Sequence, residues 1–187
     1  MAINPVKWTT KQFSRNYVAD YKPYNFVDGE GVRCSLYVSG CPFACKGCYN
    51  KAAQNFSYGQ PYSTDLEDQI MDDLKAEYCQ GLTLLGGEPF LNTGVTIPLC
   101  RRVREEFRTE KDIWSWSGYT WEELLYEGTG DKRELLSLVD VLVDGRFERE
   151  EFDSNLTFRG SRNQRIIDVK RSLEENQLIL WKNGHYN

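Results

Sequence analysis

Segments with the hydrophobic pattern of strands recur along the chain and end at glycine-containing turns. Apolar and polar residues alternate over residues 33–39, and this run ends at Gly40, which is typical of a strand. Residues 82–85 form a short apolar run closed by Gly86 and Gly87, which is consistent with a buried strand. Three further strands are predicted at residues 113–116, 139–143 and 165–169.

Segments with helical spacing separate these strands. Helices are predicted over residues 63–78 and 97–107. Thr64 with Glu67 forms a capping box that predicts the start of the first helix, and Thr120 with Glu123 forms a second capping box. The alternation of strands and helices is the pattern of right-handed βαβ crossovers, so we predict an α/β fold with a parallel sheet.

Four motifs with chemical character directly follow predicted strands. They are the cysteine cluster at 41–48, GGEP at 86–89, SGYT at 117–120 and DGRF at 144–147. Parallel α/β sheets gather their ligands at the carboxyl ends of the strands. We therefore predict that these four strand ends converge on one site.

Length and charge narrow the class of protein. The 187 residues fit one domain but fall short of the ~250 residues of a complete eight-stranded α/β barrel. We predict a single domain over 1–187, with an N-terminal arm at 1–26 and a C-terminal tail at 169–187. The net charge of −5 is unlike the basic balance of proteins that bind nucleic acid, so no nucleic acid is expected as a partner.

The chain also lacks the sequence features of a membrane or secreted protein. No apolar run reaches the ~18 residues of a membrane span, and residues 1–18 lack the apolar region of a secretory signal. We therefore expect a cytoplasmic protein with no membrane partner. Six cysteines in a reducing compartment are more typical of metal binding than of a disulfide framework.

Three of the six cysteines, Cys41, Cys45 and Cys48, form a C-x3-C-x2-C motif. Thiolates are soft ligands that select zinc, copper(I) or iron–sulfur clusters. A four-iron cluster usually takes four cysteines, so a loop that provides three leaves one iron free to bind a small molecule. A structural zinc ion would need a fourth ligand, for which Cys34 is a candidate.

The other three cysteines have the pattern of core residues. Cys34 lies in the middle of a predicted strand, on the same face as Leu36 and Val38. A free cysteine is commonly buried as a small hydrophobic residue. Cys79 lies at the end of one predicted helix and Cys100 on the apolar face of the next. We therefore expect these three thiols to be buried and to bind no metal.

The order of the motifs resembles that of the radical S-adenosylmethionine enzymes, in which C-x3-C-x2-C is followed by GGEP after one βα unit. Within that superfamily, the chain resembles the activases of anaerobic ribonucleotide reductases. The motifs that carry this resemblance occupy residues 27–33, 38–50, 81–89, 112–120, 139–147 and 159–168. The resemblance implies an open, incomplete TIM-type barrel of parallel βα units that forms a single radical S-adenosylmethionine domain.

The resemblance also implies the cofactors and the reaction. Cys41, Cys45 and Cys48 would each bind one iron of a [4Fe-4S] cluster, and the fourth iron would take the amino and carboxylate groups of S-adenosylmethionine. One electron, from a flavodoxin or ferredoxin, would release methionine and a 5′-deoxyadenosyl radical. That radical would take a hydrogen atom from a glycine of the large, glycyl-radical subunit of an anaerobic ribonucleotide reductase. Because the cofactors supply this chemistry, no residue is nominated as a catalytic acid or base.

Six residues are candidates for contact with S-adenosylmethionine: Gly47, Cys48, Tyr49, Gly86, Gly87 and Glu88. The resemblance assigns the turn at 86–88 to the amino group, since glycines let backbone carbonyls approach a ligand closely. It assigns the backbone of 47–49 to the adenine. The superfamily usually places an aromatic residue before the last cysteine, whereas here the aromatic residue follows it, so a backbone contact is expected there rather than ring stacking.

Several polar residues at later strand ends are weaker candidates. Ser115, Ser117 and Asp144 are candidates for contact with the ribose or carboxylate of the cofactor, with Arg146 as a charge partner. Each of them fits an ordinary cap or turn equally well.

Two further features have both a structural and a functional explanation, and a third, His185, has a structural one. Residues 28–31 resemble a segment of glycyl-radical activases and also fit a turn before the first strand. Arg159, Arg162 and Arg165 are candidates for a partner surface or a cofactor carboxylate, although a solvated charge cluster is the simpler explanation. His185 is expected to be a solvated residue of the tail.

Two alternative functions remain open on the sequence alone. One is a radical S-adenosylmethionine enzyme that acts on a different glycyl-radical enzyme or on a small molecule. The other, more remote, is a structural zinc-binding interaction module.

Overall fold

The computed structural model describes residues 5–182, and the strands in this range form one seven-stranded sheet. The strands are β1 (Tyr17–Asn25), β2 (Val32–Val38), β3 (Gln60–Pro61), β4 (Cys79–Gly86), β5 (Asp112–Trp116), β6 (Val141–Asp144) and β7 (Arg165–Asp168). Their order across the sheet is β3-β1-β2-β4-β5-β6-β7, so the described sheet is open, with β3 and β7 at its edges. His185 lies outside the described residues.

Four neighbouring strands, β2, β4, β5 and β6, are parallel and form the centre of the sheet. Nearly every residue of β4 is buried, as expected for a parallel strand that is covered on both faces. At the edges, β1 is antiparallel to β2 and β3, and β7 is antiparallel to β6. The predicted α/β class and open barrel of βα units are confirmed, and antiparallel strands extend the sheet at both edges.

Helices pack against the sheet and form the main hydrophobic core with it. The helices are α1 (Thr10–Phe13), α2 (Thr64–Leu74), α3 (Thr93–Phe107), a π-helix (Glu123–Glu127), α4 (Gly130–Leu138) and α5 (Val169–Glu174). The core includes Leu36 of β2, Leu84 of β4, Leu74 of α2 and Val103 of α3, all fully buried. Among the helices of the described range, none is long and apolar enough to cross a lipid bilayer.

The alternate residues of the same strands form a second buried cluster on the opposite face of the sheet. Trp114 of β5 packs there with Val143 of β6. Arg33 of β2 is fully buried on this face, where it pairs with Asp112 and donates a 2.7 Å hydrogen bond to Thr83 Oγ1. Its guanidinium lies 5.4 Å from the Trp114 ring centroid. These contacts compensate the burial of the charge.

One of the two predicted capping boxes is confirmed and the other is wrong. The Thr120 backbone N–H donates to the Glu123 carboxylate at 2.9 Å, and the Glu123 N–H donates to Thr120 Oγ1 at 3.2 Å. Before α2, however, the cap is Ser63, whose hydroxyl accepts a hydrogen bond from Leu66 N at 3.2 Å. Ser63 has an extended backbone, which an N-cap requires, whereas Thr64 is already helical.

Several elements depart from the predicted pattern, among them helix α5, which forms the start of the predicted tail at 169–187. Residues 17–25 of the predicted arm form β1, whose largely exposed side chains carry little hydrophobic alternation. The pattern also does not predict α4, a short helix with few buried apolar residues. The strand at 165–168 is antiparallel because the loop at 145–164 contains only a one-turn 3-10 helix, Arg149–Glu151, and so makes no helical crossover to a parallel strand.

Candidate active site

The carboxyl ends of the four central strands surround a cavity of about 500 Å³. The turns after β2, β4, β5 and β6 contribute Cys41, Gly86, Ser117 and Gly145 to its lining. The four strand ends therefore converge on one site, as the placement of the motifs predicted. A cavity of this volume is typical of a small-molecule or cofactor site.

The three cysteines of the C-x3-C-x2-C motif, which we call the thiol loop (residues 41–48), all line this cavity as free thiols. The loop coils tightly: Ala44 and Gly47 have positive φ angles of 49° and 82°, and Cys48 N donates to Cys45 O at 3.1 Å. Burial raises the pKa of the Cys41 thiol and that of the Cys45 thiol. At Cys45, a hydrogen bond from the Phe147 backbone N–H partly offsets this increase in pKa. Both thiols are therefore protonated near neutral pH unless a metal displaces the proton.

The donor chemistry of the loop fits an iron–sulfur cluster. Within residues 5–182, no three histidine, cysteine, aspartate or glutamate side chains converge closely enough to hold one metal ion. A single zinc ion requires its sulfur ligands at about 2.3 Å from one centre. In a cubane cluster each thiolate binds a different iron, so the ligands can stand further apart. Three separated thiols around one cavity match the second arrangement.

The GGEP turn is hydrogen-bonded to the end of β2 and to Gly40, directly before the thiol loop. Gly87 N donates to Val38 O at 2.7 Å, and Glu88 N donates to Gly40 O at 2.8 Å. A Cβ atom on Gly87 would lie 2.6 Å from Gly40 O, so only glycine fits at this position. Gly86 has a φ angle of 96°, in the region that favours glycine. The two glycines thus hold the strand ends of β2 and β4 in direct contact.

Glu88 is buried and joins the GGEP turn to the turn after β5. Its carboxylate accepts hydrogen bonds from Phe90 N at 3.0 Å, Ser117 Oγ at 2.9 Å and Gly118 N at 2.7 Å. Burial raises the pKa of Glu88 to about 7, although these three donors favour the charged form. The Glu88 carboxylate therefore has a structural role, as the shared hydrogen-bond acceptor of two turns. The GGEP motif alone does not reveal this role.

The remaining candidates for cofactor contact lie in the same cavity. Gly47, Cys48 and Tyr49 line it together with the GGEP turn, and the Tyr49 side chain is fully exposed. Arg149 and Phe147 lie 3.6 Å from the position that a Cβ atom on Gly47 would take. The six nominated contacts with S-adenosylmethionine stay predictions, which the shared cavity supports.

Most of the weaker candidates lie outside the lining of the cavity. Asp144 is buried and accepts hydrogen bonds from Arg165 and from Trp121 N. Arg146 pairs with Glu123 at 3.0 Å. The Ser115 hydroxyl is buried and lies 3.4 Å from Trp116 O. Ser117 does line the cavity, but its hydroxyl donates to Glu88, so these residues hold turns in place.

The three candidate arginines separate in the structure. Arg159 lines the cavity and donates a 2.6 Å hydrogen bond to Gln164 O. Arg162 pairs with Asp153 on the surface, and Arg165 pairs with Asp144. They therefore do not form one charge cluster.

The segment at 28–31 folds against the second face of the sheet. The Asp28 carboxylate accepts hydrogen bonds from Tyr37 Oη at 2.5 Å and Asn25 Nδ2 at 2.6 Å, and Thr83 Oγ1 donates to Asp28 O at 2.8 Å. Asp28 and Val27 line the cavity. This segment is thus part of the cavity wall as well as a turn before β2.

The loop between β6 and β7 contributes an apolar wall, of which only Phe147, in the DGRF motif, is indicated by the sequence. Its apolar lining residues are Phe147, Phe152, Leu156 and Phe158. Phe152, Leu156 and Phe158 lie in a polar stretch without a sustained helical or strand period, so no periodic signal identifies them.

The comparisons with known proteins agree with this geometry. Residues 27–167 match the family described as 4Fe-4S single cluster domain. With an open α/β barrel and a three-cysteine loop facing a GGEP turn, the chain is a single-cluster iron–sulfur domain of the radical S-adenosylmethionine type.

The relatives define the family more closely. The anaerobic ribonucleoside-triphosphate reductase-activating protein of Pasteurella multocida (strain Pm70) is 46% identical over 155 residues, which cover 81% of this chain and 96% of that protein. The protein of the same name from Escherichia coli (strain K12) is 41% identical over 154 residues, 80% of this chain and 97% of that protein. The protein of the same name from Enterobacteria phage T4 is 38% identical over 153 residues, which cover 81% of this chain and 92% of that protein. The chain belongs to the family of anaerobic ribonucleoside-triphosphate reductase-activating proteins.

Proposed function

We propose that this protein activates an anaerobic ribonucleotide reductase by generating a glycyl radical on its large subunit. The observation that carries the proposal is the arrangement of the cavity, where three free thiols of one loop face a GGEP turn that is hydrogen-bonded to the residues leading into that loop. The membership of the chain in the family of activating proteins supports the same function.

The thiol loop would hold the [4Fe-4S] cluster. Cys41, Cys45 and Cys48 would lose their protons on binding and would each take one iron, which would leave one iron without a protein ligand. When bound, the cluster and S-adenosylmethionine would supply a 5′-deoxyadenosyl radical by one-electron reductive cleavage, for abstraction of a hydrogen atom from the α-carbon of a glycine in the reductase.

Other residues around the cavity would bind and orient S-adenosylmethionine. Backbone groups of Gly86 and Gly87 would accept hydrogen bonds from the amino group of S-adenosylmethionine, and the backbone of residues 47–49 would meet its adenine. Glu88 keeps the turns after β4 and β5 at a fixed separation through its hydrogen bonds to Ser117 and Gly118. Fixed positions matter because a radical reaction depends on the placement of the reacting carbon.

The setting of the reaction follows from its chemistry. The electron would come from a flavodoxin or ferredoxin, since the chain needs an external one-electron donor. A cytoplasmic location and activity limited to anaerobic conditions suit free thiols and an oxygen-sensitive cluster. We assign all of these roles to a single domain that spans the chain.

An anaerobic reconstitution tests the proposal. Protein incubated with iron and sulfide should contain about four irons per chain and, once reduced, should consume S-adenosylmethionine. Adding the large reductase subunit should then give the doublet of a glycyl radical in electron paramagnetic resonance. Stoichiometric zinc without cleavage would support the zinc-binding alternative instead, and cleavage without a doublet would indicate a different substrate.

A further inference from the structure

Apolar side chains are exposed to solvent around the mouth of the cavity. Val27 is 63% exposed, Tyr49 100% and Phe152 61%, and all three line the cavity. They come from three separate loops: the one between β1 and β2, the thiol loop and its continuation, and the one between β6 and β7. We call these three residues the cavity rim. Single exposed apolar residues are common, but a group around a binding cavity marks an interaction surface.

We infer that the cavity rim is the docking surface for the glycine-bearing loop of the reductase subunit, through apolar side chains that flank the glycine. This inference rests on the proposed function. Because a hydrogen atom moves only between atoms in contact, the glycine must enter the same cavity that holds the cofactor. Glycine has no side chain to bind, so the affinity must come from its neighbours along the loop, and the rim is the surface that they meet first.

Phe152 is the rim residue best suited to bind a partner. Its backbone is held by a bridge to Ser161, while its ring meets the edge of Phe147 at a centroid distance of 6.3 Å. The loop behind it is fixed by Gln164, whose Oε1 accepts hydrogen bonds from Gly160 N at 2.9 Å and Ser161 N at 3.2 Å. A rigid loop that presents an aromatic ring loses little entropy on binding. Aromatic residues are also enriched at protein interfaces.

The charges near the rim favour an apolar contact over an electrostatic one. Lys46 and Arg149 are exposed beside the thiol loop, but Glu148, Glu150 and Glu151 are exposed next to Arg149. The charges are mixed, so no single sign would steer a highly acidic or basic partner to this face. A loop with apolar residues beside its glycine is the occupant that matches the rim.

The test separates docking from cofactor chemistry. Phe152→Ala and Val27→Ala proteins are reconstituted with iron and sulfide, and three quantities are measured: cleavage of S-adenosylmethionine by reduced protein alone, the affinity for the large reductase subunit by fluorescence anisotropy, and the yield of glycyl radical. We expect about tenfold weaker binding to the reductase subunit for Phe152→Ala and, at limiting reductase, a matching fall in the glycyl radical formed per S-adenosylmethionine cleaved. Phe152→Leu should recover most of the affinity.

Tyr126→Ala provides the matched control. Tyr126 is 72% exposed and lies in the π-helix, away from the lining of the cavity, so its removal should leave all three quantities unchanged. Wild-type affinity in the Phe152→Ala protein would overturn the docking inference and leave the proposed function standing. An unchanged yield of glycyl radical per S-adenosylmethionine cleaved would also overturn it, since the ring would then serve only the cofactor site. A wild-type protein that cleaves the cofactor but forms no glycyl radical would overturn both proposals.

Discussion

Ser117 Oγ donates a hydrogen bond of 2.9 Å to the carboxylate of Glu88, and this contact joins two turns that are 29 residues apart in the chain. Gly118 N donates to the other oxygen of the same carboxylate at 2.7 Å. The strand ends of β4 and β5 are therefore tied together directly beneath the cavity. Because these groups are buried, the loss of either partner leaves an unsatisfied polar group.

Removing the Glu88 carboxylate should destabilise the protein strongly. Glu88→Ala leaves Phe90 N, Ser117 Oγ and Gly118 N without their acceptor, and we expect a loss of about 3 kcal/mol in the free energy of unfolding. Urea denaturation of the cluster-free protein under reducing conditions measures this. Ser117→Ala removes one of the three bonds and should cost about 1 kcal/mol. Equal losses in the two variants would contradict the role of Glu88 as the shared acceptor.

The pH dependence of stability should carry the signature of Glu88. Its pKa is raised from 4.5 to about 7 in the folded protein, so between these values the folded state binds more protons than the unfolded state. The contribution of Glu88 to stability is therefore full below pH 4.5 and is lost as the pH rises to about 7, by about 3 kcal/mol in total. The difference in unfolding free energy between wild type and Glu88→Gln should change across this range. A difference that stays constant from pH 5 to pH 8 would refute the raised pKa.

The parts of the site that could be predicted from the sequence are those encoded locally. Cys41, Cys45 and Cys48 share one loop, so their spacing alone indicates a shared ligand, and the glycine turn follows a recognisable buried strand. The link from Glu88 to Gly118 spans 30 residues and depends on the register of β4 with β5, which no local pattern records. The same holds for Phe152, whose position depends on the path of an irregular loop.

In the fold, too, the elements encoded by a local pattern could be predicted, and those that depend on tertiary contacts could not. The parallel centre could be predicted because β2 alternates apolar and polar residues, β4 and β6 contain short apolar runs, and all three strands end in turns. β1 could not, because its partly exposed side chains do not bury a continuous face and so show no hydrophobic period. Its place in the sheet is set by pairing with β2, and that is a tertiary contact.

Two cysteine substitutions should have opposite effects on iron binding. Cys34 is fully buried in the core, with its Sγ 3.7 Å from Cys79 Sγ, so Cys34→Ala should keep about four irons per chain after reconstitution. Cys45→Ala removes a thiol that lines the cavity and should abolish both stable cluster binding and cleavage of S-adenosylmethionine. Iron analysis and the visible absorption of the cluster measure both. Loss of iron in the Cys34→Ala protein at unchanged folding would mean that Cys34 is a ligand.

The predicted core positions of the other cysteines are confirmed, which provides a control. Cys79 and Cys100 are buried, and Cys100 packs in the main core with Val103 of α3. Cys100→Ala should lower stability by about 1 kcal/mol or more through the cavity that it leaves, and should leave the iron content unchanged. Together the variants separate loss of folding from loss of a ligand.

Substitution of two glycines should separate a close backbone contact from an open position. On Gly87, a Cβ atom would lie 2.6 Å from Gly40 O and 2.9 Å from Ala53 O, so Gly87→Ala must push the GGEP turn away from the thiol loop. We expect stability to fall by about 1 to 3 kcal/mol and the affinity for S-adenosylmethionine to fall at least about tenfold. A Cβ atom on Gly130, the first residue of α4, meets nothing within 4 Å, so Gly130→Ala should instead stabilise the protein by about 0.5 kcal/mol. Thermal unfolding and equilibrium binding of the cofactor to the reconstituted protein measure these effects. If Gly87→Ala bound the cofactor as wild type does, the turn would not form part of its binding site.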